Sequence, residues 1–360
     1  MTAIQIRTPA LTIRAGRRAL QRLREKPLSP ADVHVIPGAA GGPKALGLSG
    51  LDKAIFGDWL PQAPQARVLI GSSIGSWRFA AIASSDDPKA QLAKLAELYT
   101  SQRFAKGVSA AEVSRKSVLF LEELLGGRED FILNHPWYRL NVVVVRSRGL
   151  LEHDARRRLG LGLMSAISAN MVSRRHLSRF MERGIVHDSR IKTPIAKLVD
   201  FPRHEVALSR GNLMPTLLAS ASIPLVMSGV RNIPGAPEGV YRDGGLLDYH
   251  LDLPYEQPGI ILYPHFTDKV VPGWFDKTLP WRRGDATRLQ DVVLVSPSRE
   301  YLEGLPDRKL PDRKDFEKYL GDDAGRERSW RASIAQSERL GDEFLELVAS
   351  GRLLDQIQPL

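Results

Sequence analysis

Short apolar runs alternate with longer stretches of helical spacing along this chain. Val33-His34-Val35-Ile36 is a brief run closed by Pro37 and Gly38, the form of a strand. Val68-Leu69-Ile70 is a second. Leu140 to Val145 is a third, rich in β-branched residues as a strand buried on both faces would be. Val206-Ala207-Leu208, Val240-Tyr241-Arg242, Gly259 to Tyr263 and Val292 to Val295 extend the series, within a stretch 185–210 that reads as short strand-like pieces. Between these runs the apolar spacing becomes helical. Leu46, Leu48, Leu51, Ala54, Ile55, Phe56, Trp59 and Leu60 predict a helix, with Pro43 in its first turn. Residues 88–125 predict helices with Leu92, Leu95, Leu98 and Tyr99 on one face. Residues 10–26 predict a short basic helix stopped by Pro27 and Pro30. A helix over 212–222 is built of small and apolar residues. A last helix, 325–349, turns Trp330, Ile334, Phe344 and Val348 towards a core. The alternation argues an α/β protein. No second core is visible. We expect a basic helical extension at 1–31 and one domain over 32–360, with a basic and apolar helical insertion near 150–184 and a helical C-terminal region.

Two stretches stand out from this rhythm. Leu305-Pro306-Asp307-Arg308-Lys309 recurs as Leu310-Pro311-Asp312-Arg313-Lys314. Its period is far shorter than that of a repeat architecture, so it reads as a local duplication in a linker. Arg156-Arg157-Arg158 and Arg174-Arg175 bracket the apolar segment Leu159 to Val172. That segment is too short to span a bilayer but long enough to lie at an interface. The plain alternative is a buried helix with snorkelling arginines.

Composition narrows the picture. The 360 residues, 43% of them hydrophobic, can bury a large core. There is no cysteine, so disulfides and thiolate chemistry are excluded. The start of the chain has no apolar segment of the secretory kind, and no apolar run approaches a membrane span. A cytoplasmic protein, peripheral to a membrane at most, is expected. The net charge of +10 is concentrated: residues 1–30 and 146–183 each carry +6, leaving the rest slightly acidic. Such patches suit an anionic surface, either phospholipid headgroups or nucleic acid, or serve solubility alone. An Arg-rich, acid-poor start also fits a transit peptide.

The candidate chemistry begins at Gly71-Ser72-Ser73-Ile74-Gly75, placed between a strand and a small-residue helix. This strand–Gly-x-Ser-x-Gly–helix order lifts a serine hydroxyl clear of a sheet at a helix N-terminus. Gly71 and Gly75 must lack Cβ atoms for the turn to close. The bland alternative is a Gly/Ser-rich loop. Gly38-Ala39-Ala40-Gly41-Gly42-Pro43-Lys44 follows another strand. Its spacing fits neither a phosphate-binding loop nor a dinucleotide fingerprint. It reads as an oxyanion hole made by the Gly41 and Gly42 N–H groups, or as a tight strand-to-helix turn. Asp243-Gly244-Gly245 offers a carboxylate with room behind it, or simply an Asp-Gly turn. His250 and His265 both follow Asp243, so a Ser-Asp-His triad is permitted by order. His187 and Asp188 are adjacent rather than at a ligand spacing, and no metal cluster is seen.

Four motifs in order make residues 32–255 resemble the patatin-like phospholipase family. They are the glycine loop Ala40 to Ala45, the elbow at Ser73, the helix end Ala219-Ser220-Ala221-Ser222-Ile223-Pro224, and Asp243-Gly244-Gly245 trailed by Asp248 and Pro254. The family loop usually reads Gly-Gly-Gly-x-Arg-Gly. Here Ala40 and Ala45 replace the outer glycines and Lys44 takes the arginine position. The resemblance implies a three-layer α/β/α sandwich around a mostly parallel sheet. It implies a Ser73–Asp243 dyad without histidine, an oxyanion hole of Gly41, Gly42 and Lys44, and hydrolysis of a phospholipid or another lipid ester through an acyl-enzyme. No cofactor, metal or nucleic acid is expected. The partners expected are the lipid or acyl-ester substrate and, as a further option, an anionic membrane. Leu161, Met164 and Ile167 of the basic–apolar segment are expected in a substrate lid. Two other readings stay open: a soluble small-acyl esterase or thioesterase, and a non-catalytic lipid-binding member.

Overall fold

The computed structural model describes residues 8–196, 198 and 200–360. Residues 1–7 of the expected N-terminal extension, and Lys197 and Val199 of the 185–210 stretch, lie outside the described residues. Among the described residues eleven strands form one sheet. They are β1 (Leu11–Ala15), β2 (Val33–Gly38), β3 (Arg67–Ser72), β4 (Tyr138–Ser147), β5 (Met181–His187), β6 (Arg203–Ala207), β7 (Val230–Arg231), β8 (Val240–Asp243), β9 (Ile260–Pro264), β10 (Val292–Pro297) and β11 (Ile357–Pro359). The main path runs β11-β1-β10-β9-β2-β3-β4-β5-β6. Its centre, β10-β9-β2-β3-β4, is parallel throughout, and antiparallel pairs flank it at β1–β10 and β4–β5. Helices flank this sheet in an α/β/α arrangement. The helix Ile74–Ile82 is buried along its whole length and is mostly apolar; its one charged side chain, Arg78, reaches the buried Asp52 at 3.2 Å.

One strand does two jobs. Residues 138–143 of β4 pair with β3, and residues 144–146 pair with β8. Since β5 occupies the other edge of β4 from Asn141 to Ser147, β3 and β8 must share one edge. They run in opposite directions and their carboxyl ends meet, Ser72 opposite Val143 and Asp243 opposite Val144. The chain can leave this junction only through glycine. A Cβ at Gly244 would stand 2.3 Å from the Val143 carbonyl oxygen and 2.8 Å from Ser72 Oγ.

Several expectations are corrected. Residues 10–26 are not one helix. Leu11, Ile13 and Ala15 are buried while Thr12 and Arg14 are half-buried, a period of two that inserts β1 between β10 and β11. The helix Arg17–Glu25 starts only after Gly16, where a Cβ would lie 1.9 Å from the Leu289 carbonyl. The stretch after Gly41 is helical but irregular: 3-10 over Gly42–Leu48, α over Ser49–Asp52, π over Lys53–Trp59. The last helix is two, Asp323–Gln336 and Glu338–Ala349, joined at Ser337. Ser337 Oγ accepts the Gly50 N–H at 2.8 Å and donates to the Ile334 carbonyl, tying the joint to the helical stretch behind the glycine loop. The expected insertion near 150–184 holds the helix Arg156–Val172, but its end is strand β5. The duplicated segment is no free linker: Leu305, Leu310 and Pro311 are buried. Five residues of duplication carry no periodic signal by which sequence alone could show that.

Candidate active site

Ser73 sits at φ 55° and ψ −128°, a conformation that side chains other than glycine rarely adopt. Such a backbone costs about 1–3 kcal/mol and persists only where neighbours over-determine it. Here they do. The Ser73 N–H donates to Ser220 Oγ at 2.9 Å, and Ser220 Oγ donates to the Val143 carbonyl at 2.7 Å. Ser76 Oγ donates to the Ser73 carbonyl at 2.6 Å. A Cβ on Gly71 would lie 2.4 Å from the Ser76 nitrogen, and one on Gly75 would lie 2.0 Å from the Gly38 carbonyl oxygen. The two glycines are therefore required by space, one inside the turn and one against the neighbouring strand.

Asp243 ends β8 beside this turn. Ser73 Oγ donates to Asp243 Oδ2 at 2.7 Å, and the Gly245 N–H donates to Oδ1 at 2.7 Å. The carboxylate is buried, with 5% exposure. Burial raises its pKa to about 6, against the opposing pull of Arg313, the Ser73 hydroxyl and the Gly245 N–H. A carboxylate near 6 is a better proton acceptor than an ordinary one and is still ionised at neutral pH. Among the described residues no histidine hydrogen-bonds to Ser73 or Asp243. His250 and His265 pack against each other, ring centroids 4.3 Å apart. Burial pushes His250 well below the ordinary imidazole range and His265 down to about 3.

The glycine loop runs alongside. Gly42 has φ +58°, and Gly41 precedes the first turn of the 3-10 helix. Neither N–H meets a backbone acceptor among the described residues, as expected at a helix start. The loop is fastened to the Asp243 side by the Ala40 N–H, which donates to the Tyr249 carbonyl at 2.9 Å. A Cβ on Gly41 would meet the Phe266 ring at 2.6 Å. Lys44 turns its ammonium over that same ring, 4.8 Å from the centroid. Burial, then Lys277, lowers its pKa to about 8.

Two cavities flank the pair. The larger, about 680 Å3, is lined by Gly42, Ser73 and a mostly apolar wall including Trp77, Tyr99, Phe104, Met227 and Phe316. The smaller, about 250 Å3, is lined by Asp243, Gly245, Tyr249, Pro224, Leu163 and Trp274. Arg313 lines both. Sequence reasoning missed Arg313. Its signal was the duplicated pentapeptide, whose second copy carries it. Lys44 lines neither cavity.

The segment 156–175 is one helix, Arg156–Val172, followed by a short turn. Leu159, Gly162, Ala166 and Asn170 face inward, and Asn170 Nδ2 donates to Asp276 Oδ1 at 2.8 Å. Leu161, Met164 and Ile167 are exposed and line neither cavity; Leu163, between them, lines the smaller one. Arg156, Arg157, Arg158 and Arg175 are exposed, whereas Arg174 reaches inward to Asp276 at 3.4 Å. Among the described residues no group of three or more His, Asp or Glu could hold a metal ion. Among them, too, no helix is long and apolar enough to cross a membrane.

The chain belongs to the patatin-like phospholipase family, whose model matches residues 47–250, more than half of its length. The matched stretch contains Ser73, Ser220 and Asp243 and excludes the loop at 41–44 and Arg313. No curated protein matches the chain. Among solved structures, human GIVD cytosolic phospholipase A2 is similar over 94% of this chain, with 11% identity and a TM-score of 0.36. The chain spans 63% of that structure's length, and a likeness this weak bears on neither fold nor activity.

Proposed function

We propose that the protein hydrolyses lipid acyl esters through a Ser73–Asp243 dyad and a covalent acyl-enzyme. The observation that carries this reading is the 2.7 Å hydrogen bond from the strained Ser73 hydroxyl to a buried carboxylate, beside an apolar cavity. Ser73 Oγ attacks the ester carbonyl carbon while Asp243 Oδ2 takes the hydroxyl proton. The carbonyl electron pair moves to oxygen, and the Gly41 and Gly42 N–H groups stabilise that oxyanion. Collapse breaks the bond to the alcohol oxygen, which takes the proton from Asp243, leaving acyl-Ser73. Water then attacks, giving its proton to Asp243. The second collapse returns that proton to Ser73 and frees the carboxylic acid. No cofactor enters any step.

The larger cavity, within the ~300–1,000 Å3 of ordinary ligand sites, suits an acyl chain. The smaller one, on the Asp243 side, suits the leaving alcohol. The exposed apolar face of helix Arg156–Val172, between arginines and above Leu163, supports a role against an anionic bilayer at the cavity mouth. The test is labelling by a fluorophosphonate together with turnover of acyl esters of graded chain length. Labelling lost in Ser73→Ala, with preference for long chains, supports the reading. An unlabelled Ser73 in folded protein overturns it.

A further inference from the structure

We infer that Arg313, carried by the second copy of the duplicated pentapeptide, is a specificity-determining residue that holds an anionic group on the substrate ester. That group is a phosphate or a carboxylate close to the scissile bond. The inference rests on the ester-hydrolase reading of Ser73 and names the kind of ester that site takes.

Position is the first argument. Arg313 walls the larger cavity beside Gly42 and Ser73 and the smaller one beside Asp243 and Gly245. A Cβ on Gly42 would lie 3.1 Å from its Nε, so the side chain crosses directly over the glycine loop. An ester bound across both cavities passes under it.

The second argument is charge without a partner. Among the described residues Arg313 has no carboxylate within ion-pair distance; Glu317, which lines the larger cavity with it, is exposed and makes no ion pair, and the other nearby acids are engaged elsewhere. Asp312 and Asp315 both take Lys309, at 3.1 and 2.6 Å, and Asp243 is held by Ser73 and Gly245. Other cations without carboxylate partners among the described residues stand close by, and of these Lys106 and Lys314 line the larger cavity. Lys277 lies over the ring of Tyr249, 5.1 Å from its centroid, and Tyr249 lines the smaller cavity with Arg313. Lys44 lies over Phe266. Burial lowers Lys44 and Lys277, and Arg313 adds repulsion to each. Like charges held together this way are relieved by an anion between them.

The third argument is that the segment is fixed. Leu305 and Leu310 are buried, and Leu310 fits where Gly47 leaves room: a Cβ there would meet its Cδ2 at 2.4 Å. Asp315 Oδ2 accepts from Trp330 Nε1 and from the Asp312 N–H, each at 2.9 Å. The duplication thus supplies two leucine pegs, and the second places a guanidinium whose planar fork matches a carboxylate or phosphate.

The test uses full-length Ser73→Ala protein and calorimetric titration with octyl phosphate, octanoate and octanol. Either anion should bind at least about tenfold more tightly than octanol. Adding Arg313→Gln should abolish that preference, and Arg313→Lys should keep part of it. Whichever anion binds more tightly identifies the source of the charge. Absence of any preference, or a preference surviving Arg313→Gln, overturns the proposal. With Ser73 intact, Arg313→Gln should lower the ratio of kcat/KM for anionic over neutral esters, chiefly through KM. Equal loss of kcat on both, at an unchanged ratio, would instead assign Arg313 to the oxyanion and also overturn the proposal. If the wild type cleaves no ester, the hydrolase reading fails while the titration still decides on Arg313.

Discussion

Ser72 and Asp243 stand on successive registers along one edge of β4, opposite Val143 and Val144, at the head-on meeting of two strands. Everything chemical about the site follows from that meeting. The residue after Ser72 is thrown out of the sheet by the turn, and its hydroxyl donates a hydrogen bond to the carboxylate that ends β8.

A dyad acts as a unit. Ser73→Ala and Asp243→Asn should each reduce ester hydrolysis to background while circular dichroism stays native, and the double variant should lose no more than either alone. Near-normal turnover in Asp243→Asn, with loss in His250→Ala or His265→Ala, would point to a triad instead.

The raised Asp243 pKa sets two pH dependences of opposite sign. Activity on a soluble ester needs the carboxylate and should climb as pH rises through about 6. Stability should run the other way. The folded group titrates near 6 and its ordinary value is 3.8, so the unfolded chain ionises first and wild-type stability is lost as pH rises between them. The cost above that window is on the order of 3 kcal/mol. Asp243→Asn should therefore melt at a higher temperature than wild type at pH 8, with the gap closing below pH 4. A constant gap across the range would show that Asp243 is not buried as a charge.

Two glycines should answer differently to alanine. Gly42 lies at φ +58° with Arg313 close above it, and a methyl there strains the loop meant to hold the oxyanion. Losing one such donor costs roughly 3–4 kcal/mol of transition-state stabilisation, about a hundred- to a thousandfold in turnover. Gly160, inside helix Arg156–Val172, has open space around its missing Cβ. Gly160→Ala should stabilise the fold by about 0.5–1 kcal/mol. Unchanged kinetics in folded Gly42→Ala would remove the loop from the mechanism.

The proposed membrane face is tested with the four exposed arginines, since Arg174 is committed to Asp276. Replacing Arg156, Arg157, Arg158 and Arg175 by glutamine should weaken binding to anionic vesicles by about 1 kcal/mol per residue at most, with a shallower salt dependence. Hydrolysis of vesicle lipid should fall further than hydrolysis of a dissolved ester. Vesicle sedimentation indistinguishable from wild type would leave the helix as an ordinary packing element with solvated ends.

Local pattern was enough for much of this protein. The apolar runs at 33–36, 68–70, 140–145 and 292–295 are strands, as short, β-branched-rich segments between turn residues favour. The elbow was legible for a similar reason: Gly71, Ser73 and Gly75 report a steric need confined to five residues. Other features depended on partners far along the chain. Leu11–Ala15 is a strand because β10 and β11 receive it, and its five residues alternate too briefly to outweigh a basic, helix-forming sequence that follows. The joint at Ser337 exists where Gly50 packs, 287 residues away. Asp243 comes to Ser73 across 170 residues because β5 closes one edge of β4 and leaves the other to be shared. Arg313 comes to the same place by two buried leucines whose spacing is that of a turn, not a helix or strand. Sequence alone determined the central strands and the tight Gly-x-Ser-x-Gly turn, since both are set by neighbours in the chain. Tertiary structure alone decided which carboxylate, which cation and which cavity meet there, since those depend on how one edge of one strand is filled.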